Sequence, residues 1–325
     1  LNHLTVVSTF AGCGGSSLGY VLAGYEDRLA VEWDRHAAAS YRSNFPDVPI
    51  HEGDIAQLSD EEALRMADLE PGGLDVLDGS PPCQGFSTSG KRRSSDPRNQ
   101  LYVEYVRLLR AFRPRAFVME NVSGLVKGKM FETVFPSIME ELRGSGYRVS
   151  CRLLNSKFFG VAQSRERVIF VGVRDDVGAE PSHPRPQEPP IPVRVALRDV
   201  EPRTFCPRPL SEVERLVWAT TNHGQRGADL AWTRSRYWDH RKLDPRKPAP
   251  TIRASYFGAL MHWSEARRLS IEEGKRIMGF PDDFELVGNF EQQWKQLGNG
   301  VPPPLMRAVA EHVRREILEG AGVAA

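Results

Sequence analysis

One cysteine, one glutamate and two arginines stand where they could do chemistry in this 325-residue sequence. Cys83 lies in Asp78-Gly79-Ser80-Pro81-Pro82-Cys83-Gln84-Gly85-Phe86-Ser87, directly after the apolar run Leu74-Asp75-Val76-Leu77. That run has strand length and ends in turn residues. Two prolines restrict the backbone just before Cys83, so the direction of its thiol is partly set in advance. Residues 88–99 then bring Lys91, Arg92, Arg93, Asp96 and Arg98 with no apolar stripe. A cysteine delivered by a strand onto a basic loop suits a nucleophile presented to a large polyanion. Taken alone, the same features equally suit a solvated loop with an idle thiol. Glu120 follows the strand-like run Ala116-Phe117-Val118-Met119. Ligands of open α/β sheets collect at such strand ends, although a lone acid there is equally a helix cap. Arg165 and Arg167 are two residues apart, a spacing that on a strand turns both guanidiniums to one face. Two buried guanidiniums are costly unless they meet acids or hold a ligand.

These side chains need a sheet to position them. Residues 4–10 read as a buried, β-branched strand. It runs into Ala11-Gly12-Cys13-Gly14-Gly15-Ser16-Ser17-Leu18-Gly19-Tyr20, a glycine-rich turn opening a helix. Such a turn lets backbone approach a ligand closely and offers free N–H groups. Its spacing is not G-x-G-x-x-G, and no G-x-x-x-x-G-K-[ST] phosphate loop occurs. Leu29-Ala30-Val31-Glu32-Trp33-Asp34 reads as a second strand ending in acids, about twenty residues past the glycine turn, which suits a ribose diol. Trp33 beside it could stack on a purine. His51-Glu52-Gly53-Asp54-Ile55 offers a further acid at a strand end, suited to an adenine amino group. Three such strand ends side by side describe a pocket for an adenosine-bearing cofactor that need carry no pyrophosphate.

Helices are expected over residues 35–44, 56–67, 101–112 and 131–144, and over 270–278, where Ser270-Ile271-Glu272-Glu273 has capping-box form. Strands are expected over 148–154 and 167–173, and a last helix runs from the prolines at 302–304 to about Leu318. Residues 181–192 are proline-dense and linker-like. Residues 201–247 show little periodicity; there Arg226, Arg234, Arg236 and other cations alternate with Trp218, Trp232, Tyr237 and Trp238. That composition suits nucleic-acid contact, and equally a small domain with a wet surface.

Composition bounds these readings. Hydrophobic content of 40% and charged content of 26% are those of an ordinary globular protein. A net charge of +1 gives no bulk nucleic-acid signal, so any such surface must come from local clustering. Cys13, Cys83, Cys151 and Cys206 form no C-x-x-C pair, which argues against zinc or a disulfide framework and for a reducing cytoplasm. No apolar run approaches the roughly 20 residues that span a bilayer, and the first residues lack a signal-peptide pattern. No metal is expected.

Taken together, these stretches resemble the cytosine-C5 DNA methyltransferase family, over nearly the whole chain outside residues 175–244. Phe10-Ala11-Gly12-Cys13-Gly14-Gly15 is similar to its cofactor loop, and Pro81-Pro82-Cys83-Gln84 to its nucleophile loop. Glu120-Asn121-Val122 resembles its acid motif, Gln163-Ser164-Arg165-Glu166-Arg167 its arginine motif, and Gln296-Leu297-Gly298-Asn299-Gly300-Val301-Pro302 its C-terminal motif. Each is weak alone; all of them in order are specific. The unmatched segment falls where family members differ, in their target-recognition region.

The resemblance implies an α/β, Rossmann-like, S-adenosylmethionine-dependent methyltransferase fold with a smaller, irregular target-recognition domain. Its expected boundaries are 1–178 for the catalytic and cofactor domain, 179–290 for target recognition and 291–325 for a segment returning to the catalytic domain. It further implies that Cys83 adds to cytosine C6, that Glu120 holds N3 and the 4-amino group, and that Arg165 binds O2 with Arg167 in support. S-adenosylmethionine would supply the methyl group to C5. The glycines Gly12, Gly14 and Gly15 would form its loop, with Phe10, Glu32, Trp33, Asp54, Ile55 and Leu101 around the adenosine and Asn299 and Gly300 near the methionine end. The cytosine must swing out of the duplex, with Gln84, Ser87, Ser89, Lys91 and Arg92 closing on the DNA and Arg226, Arg234 and Arg236 contacting it. The implied partners are double-stranded DNA and a cognate restriction endonuclease acting at the same site. The chain is expected to be monomeric, cytoplasmic and nucleoid-associated, without a membrane. Three rivals are a family member acting on RNA, a catalytically silent DNA-binding homologue and a nucleotide-dependent oxidoreductase, the last opposed by the missing G-x-G-x-x-G. Against the first, Phe205-Cys206-Pro207 does not match the Cys-Phe-Thr signature of the branch that methylates transfer RNA; against the second, Cys83, Glu120 and Arg165 are intact.

Overall fold

The computed structural model describes residues 3–82, 97–233, 240–254 and 259–320, in backbone alone at 97–100 and 129. Cys83, Gln84, Ser87, Ser89, Lys91, Arg92, Arg234 and Arg236 lie outside the described residues. The chain divides into two compact units, one comprising Leu1–Asn155, Glu166–Arg185 and Leu305–Ala325, the other Ser156–Arg165 and Pro186–Pro304.

The first unit holds a seven-stranded sheet. Its strands are β1 (Leu4–Thr9), β2 (Tyr25–Glu32), β3 (Ile50–Glu52), β4 (Val76–Gly79), β5 (Ala116–Val122) and β6 (Tyr147–Asn155), then, after the short β7 (Gln163–Ser164) of the second unit, β8 (Glu166–Arg174). Across the sheet they run 3-2-1-4-5-8-6. Strands β1 to β5 pair in parallel, and β8 runs antiparallel to both β5 and β6. The expected α/β class is therefore the one observed. The parallel strands are covered on both sides, which is why they read as aliphatic runs rather than as alternating patterns.

The helices of this unit are α1 (Gly15–Leu22), α2 (Arg35–Asn44), α3 (Asp60–Ala67), α4 (Pro97–Phe112), α5 (Gly128–Thr133) and α6 (Phe135–Gly144). On one face, Val7, Leu29, Leu77, Phe117, Met119 and Phe170 join residues of α3, α4 and α6 in a continuous apolar core. The other face carries a polar layer of Ser8, Asp27 and Asp78 beneath α1 and α2. A bulge makes this possible: Val6 pairs with Asp27 but Val7 with Leu29, so Arg28 is inserted and Asp27 turns away from the side taken by Leu29.

Some boundaries differ from the sequence reading. Strand β2 begins at Tyr25 rather than Leu29. The helix expected over 56–67 is a short 3₁₀ turn, Ile55–Gln57, followed by α3 behind its own cap, Ser59. The helix expected over 131–144 divides at Val134, because Pro136 has no N–H with which to continue α5 and suits the first turn of α6 instead.

The second unit contains α7 (Val193–Ala196), α8 (Glu212–Thr220), α9 (Ile271–Met278) and α10 (Phe290–Asn299). Strand β7 pairs with β10 (Ala249–Pro250), and β9 (Arg241–Lys242) with β11 (Leu260–Met261). Helix α8 lies inside the stretch read as aperiodic, nucleated by a capping box of Ser211 and Glu214. Helix α11 (Pro303–His312) winds on as a π-helical segment, Val313–Glu319. Within the first unit it is tied to the sheet by Tyr25, whose hydroxyl donates to the Ala310 carbonyl at 3.1 Å. No helix among the described residues is long and apolar enough to cross a membrane.

Candidate active site

The C-terminal ends of β1, β2 and β3 are neighbours, and Glu32 joins them. It is buried, and its Oε2 accepts from the Gly12 N–H at 2.7 Å. Its Oε1 accepts from the Asp34 N–H at 2.8 Å, and its own carbonyl accepts from Gly53 at 3.0 Å. Burial pushes its carboxyl above the ordinary range, opposed by the two backbone donors. The turn between β1 and α1 bends through left-handed residues, Phe10 at φ 54°, Gly12 at 59° and Gly14 at 97°. At Gly14 a Cβ would come within 2.4 Å of the Phe45 ring, so glycine is required for both space and dihedral.

Asp34 serves α2 as its N-cap, accepting from His36 and Ala37, and Asp54 caps the 3₁₀ turn through Ala56. Trp33 is 78% exposed. Ile55 belongs to the apolar core, and Phe10 and Leu101 pack against it. A cofactor bearing a nucleoside fits these groups on three counts. The space above Gly12 is open, Trp33 presents a free ring face, and Asp54 presents an exposed carboxylate at the next strand end. Cys13 is buried and its thiol is pushed up to about 12, so it packs rather than reacts.

At the same sheet edge, Glu120 near the end of β5 pairs with Arg167 of β8, Nε to Oε1 at 2.5 Å. Register explains the meeting: Val122 faces Arg167 and Glu120 faces Ile169, so acid and base are diagonal neighbours on one face. Asn121 donates from Nδ2 to the Pro81 carbonyl at 2.9 Å. The backbone two residues before Cys83 is thus fixed by the residue next to Glu120.

Arg165 is held by backbone carbonyls. It sits in the break between β7 and β8, 1% exposed, and donates to the carbonyls of Ile252 (3.0 Å), Gly298 (2.8 Å) and Gly300 (2.9 Å). All of these belong to the second unit, as do Asn299 and Gly300 of the C-terminal motif. Gly298 is obligatory there, since a Cβ would lie 2.2 Å from the Ala254 nitrogen.

The second unit also contains a cavity of ≈ 480 Å³ lined by Arg226, Arg241, Lys247, Arg253, Thr251 and Trp294, among others. Arg226, expected on the DNA, also holds Asp229 at 2.8 Å. Among the described residues, no group of three or more metal-ligating side chains occurs.

Sequence reasoning passed over Asp78. It is 2% exposed, yet its Oδ2 accepts from the Ser16 hydroxyl at 2.5 Å and its Oδ1 from Tyr20 at 3.4 Å. The available signal was an acid interrupting an apolar strand, Val76-Leu77-Asp78.

A glycine turn, acids at adjacent parallel strand ends and a buried acid–arginine pair mark the site of an α/β enzyme. The sequence pattern of the family described as C-5 cytosine-specific DNA methylase matches residues 4–315, and the chain belongs to that family. It is thereby a DNA (cytosine-5-)-methyltransferase. Similar proteins include the Type II methyltransferase M1.HphI of Haemophilus parahaemolyticus, 34% identical over 95% of this chain and 86% of that one. M.NgoPII of Neisseria gonorrhoeae is 29% identical over 97% of both. Among solved structures, a putative DNA modification methyltransferase encoded within an E. coli prophage shares the fold with a TM-score of 0.80, at 23% identity over 96% of this chain and 99% of that one. Dnmt2 of S. pombe shares it at 0.67 and 16% identity, over 97% and 99%.

Proposed function

We propose that the enzyme flips a cytosine out of duplex DNA at a short specific sequence and methylates its C5 with S-adenosylmethionine as donor. The pairing of Glu120 with Arg167, beside an Asn121 that holds the backbone leading to Cys83, is the observation that carries this reading. The thiolate of Cys83 adds to C6, and the ring electrons displaced by that bond make C5 nucleophilic. Glu120 holds N3 and the 4-amino group, sharing a proton with N3, so the ring does not accumulate negative charge. Arg167 keeps the Glu120 carboxyl aimed and faces the developing charge. Arg165 fixes the C-terminal motif through the Gly298 and Gly300 carbonyls and ties it to the Ile252 carbonyl. The donor supplies an electrophilic methyl group; Glu32, Trp33 and Asp54 would hold its adenosine and the Gly12 turn its amino-acid end. After transfer the C5 proton leaves, the sulfur–C6 bond breaks and aromaticity returns.

Residues 179–290 would recognise the target, with the basic cavity a candidate phosphate contact. The names of the relatives support a restriction-modification role beside an endonuclease of the same specificity. The reading includes a monomer acting on the nucleoid in the cytoplasm. Tritium transfer from labelled donor to unmethylated duplex DNA, with base-resolution mapping and Cys83→Ser beside it, tests the proposal. Label at one short sequence, lost in the variant, is expected; label on RNA alone, or none despite donor binding, overturns it.

A further inference from the structure

Three strands and one helix meet at Asp78. Its carboxylate lies on the α1 face of the sheet, where Ser8 and Val118 are its register neighbours. Ser16 in the first turn of α1 and Tyr20 one turn later both point their hydroxyls at it. Its carbonyl accepts from the Thr9 hydroxyl at 3.0 Å, so the last residue of β1 is bound to the same point. Gly79 beside it admits no side chain, because a Cβ would meet the Thr9 hydroxyl at 2.3 Å and the Tyr105 ring at 2.7 Å. The turn that begins at Phe10 and the segment that reaches Cys83 five residues later therefore share one buried anchor.

We propose that Asp78 is a positioning residue that locks the first turn of α1, and with it the cofactor loop, to the strand that carries the nucleophile. This rests on reading that loop as the S-adenosylmethionine site. The need for such a lock follows from the reaction. The transferred carbon and the sulfur that activates C5 act on the same ring, and their carriers come from β1–α1 and β4, separated by about sixty residues of chain. A misplacement of about 1 Å at such a step costs on the order of a hundredfold in rate. A buried acid is an expensive tie: the neighbouring carboxyls of Asp27 on β2 and Glu120 on β5 add to the cost of its charge, and the hydroxyls of Ser16 and Tyr20 offset part of it. Burial accordingly pushes its carboxyl up to about 7. A side chain that served only to fill space between Ser16 and Tyr20 would not need to accept a hydrogen bond from each.

The test compares D78A, D78N and S16A with the wild type in two assays. One is calorimetric binding of S-adenosylhomocysteine to the apo enzyme; the other is the rate of covalent trapping on 5-fluorocytosine duplex DNA. D78A is expected to weaken S-adenosylhomocysteine binding tenfold or more and to slow trapping. D78N, which keeps an acceptor for Ser16, should restore both to within about threefold. S16A should weaken binding by itself and add nothing on a D78A background. If D78A does not fold, S16A carries the test alone, and binding within twofold of wild type overturns the proposal. So does a D78A enzyme that melts lower but binds and traps as the wild type does. A wild type that binds no S-adenosylhomocysteine overturns the cofactor reading and this role together. Tight wild-type binding beside an unaltered D78A overturns the positioning role alone.

Discussion

Arg167 reaches Glu120 with Nε 2.5 Å from Oε1, and both side chains are about nine-tenths buried, at 12% and 9% exposure. The acid is therefore aimed before any base arrives, and truncating the arginine leaves a buried carboxylate with nothing opposite. R167A is expected to lower single-turnover methyl transfer by at least about a hundredfold and stability by roughly 3–5 kcal/mol. R167K, which lacks the planar fork, should recover stability better than rate. E120Q should keep the fold and lose a similar factor in rate. Rapid-quench transfer alongside thermal melts checks this. Full transfer in R167A would remove the pair from the mechanism.

Arg165 predicts the opposite balance. Its guanidinium spans three carbonyls from two separate segments of the second unit. Each charge-assisted bond is worth about 1.5–3 kcal/mol, and two of the carbonyls it would orphan, those of Ile252 and Gly298, belong to buried residues. R165A should chiefly destabilise the second unit, seen as early proteolysis within residues 186–304. If R165A instead stays stable and loses transfer alone, Arg165 belongs with the reacting base.

What the sequence made legible follows from how each feature is encoded. The strand ends carrying Gly12, Glu32, Asp54 and Glu120 could be read because an apolar run followed by a turn is a local signal. The carbonyls that hold Arg165 could not, because Ile252, Gly298 and Gly300 lie far along the chain from it. Helices α8 and α10 carry capping boxes that are legible in the sequence, Ser211 with Glu214 and Asn289 with Gln292, the first of them within a stretch dominated by cations. The tie from Ser16 to Asp78 spans 62 residues and exists only once β4 lies beside β1. Nothing local announces it.

Asp27 and Asp78 make stability depend on pH. Burial raises their carboxyls to about 6 and about 7 from an ordinary 3.8. A raised acid stabilises the fold fully below its unfolded value, and that stability is lost as pH climbs through its folded value. The wild type should therefore lose more stability between pH 5 and pH 8 than D78N, in which only Asp27 of the two can ionise. The effect is on the order of a kcal/mol or more. Melting the apo enzymes at both pH values measures it: the advantage of D78N over wild type must grow toward pH 8, and a pH-independent difference would refute the assignment.

Trp33 offers its ring to solvent and little of it to the core. W33A should leave the melting temperature of the apo enzyme within a degree or two. Removing a stacking partner should raise KM for S-adenosylmethionine by about tenfold, from about 1–3 kcal/mol of lost stacking, with kcat little changed. An unaltered KM would place the adenine elsewhere.

Gly79 lets β4 pack closely against Thr9 of β1 and Tyr105 of α4. An added methyl would meet the Thr9 hydroxyl at 2.3 Å and Tyr105 ring carbons at 2.7 and 2.8 Å. Tyr105 is fully buried and cannot swing away, so either β1 or α4 must move. Overpacking of this kind costs about 1–3 kcal/mol. G79A should melt several degrees lower and transfer methyl more slowly, because the displaced strand is the one that carries Cys83. Adding T9A removes the closer contact while leaving the ring, so the double variant should regain part of the melting temperature. It should not regain the full rate, since the hydroxyl that anchors the Asp78 carbonyl is gone as well. Full recovery of both would mean that Thr9 acts on this strand only through its bulk.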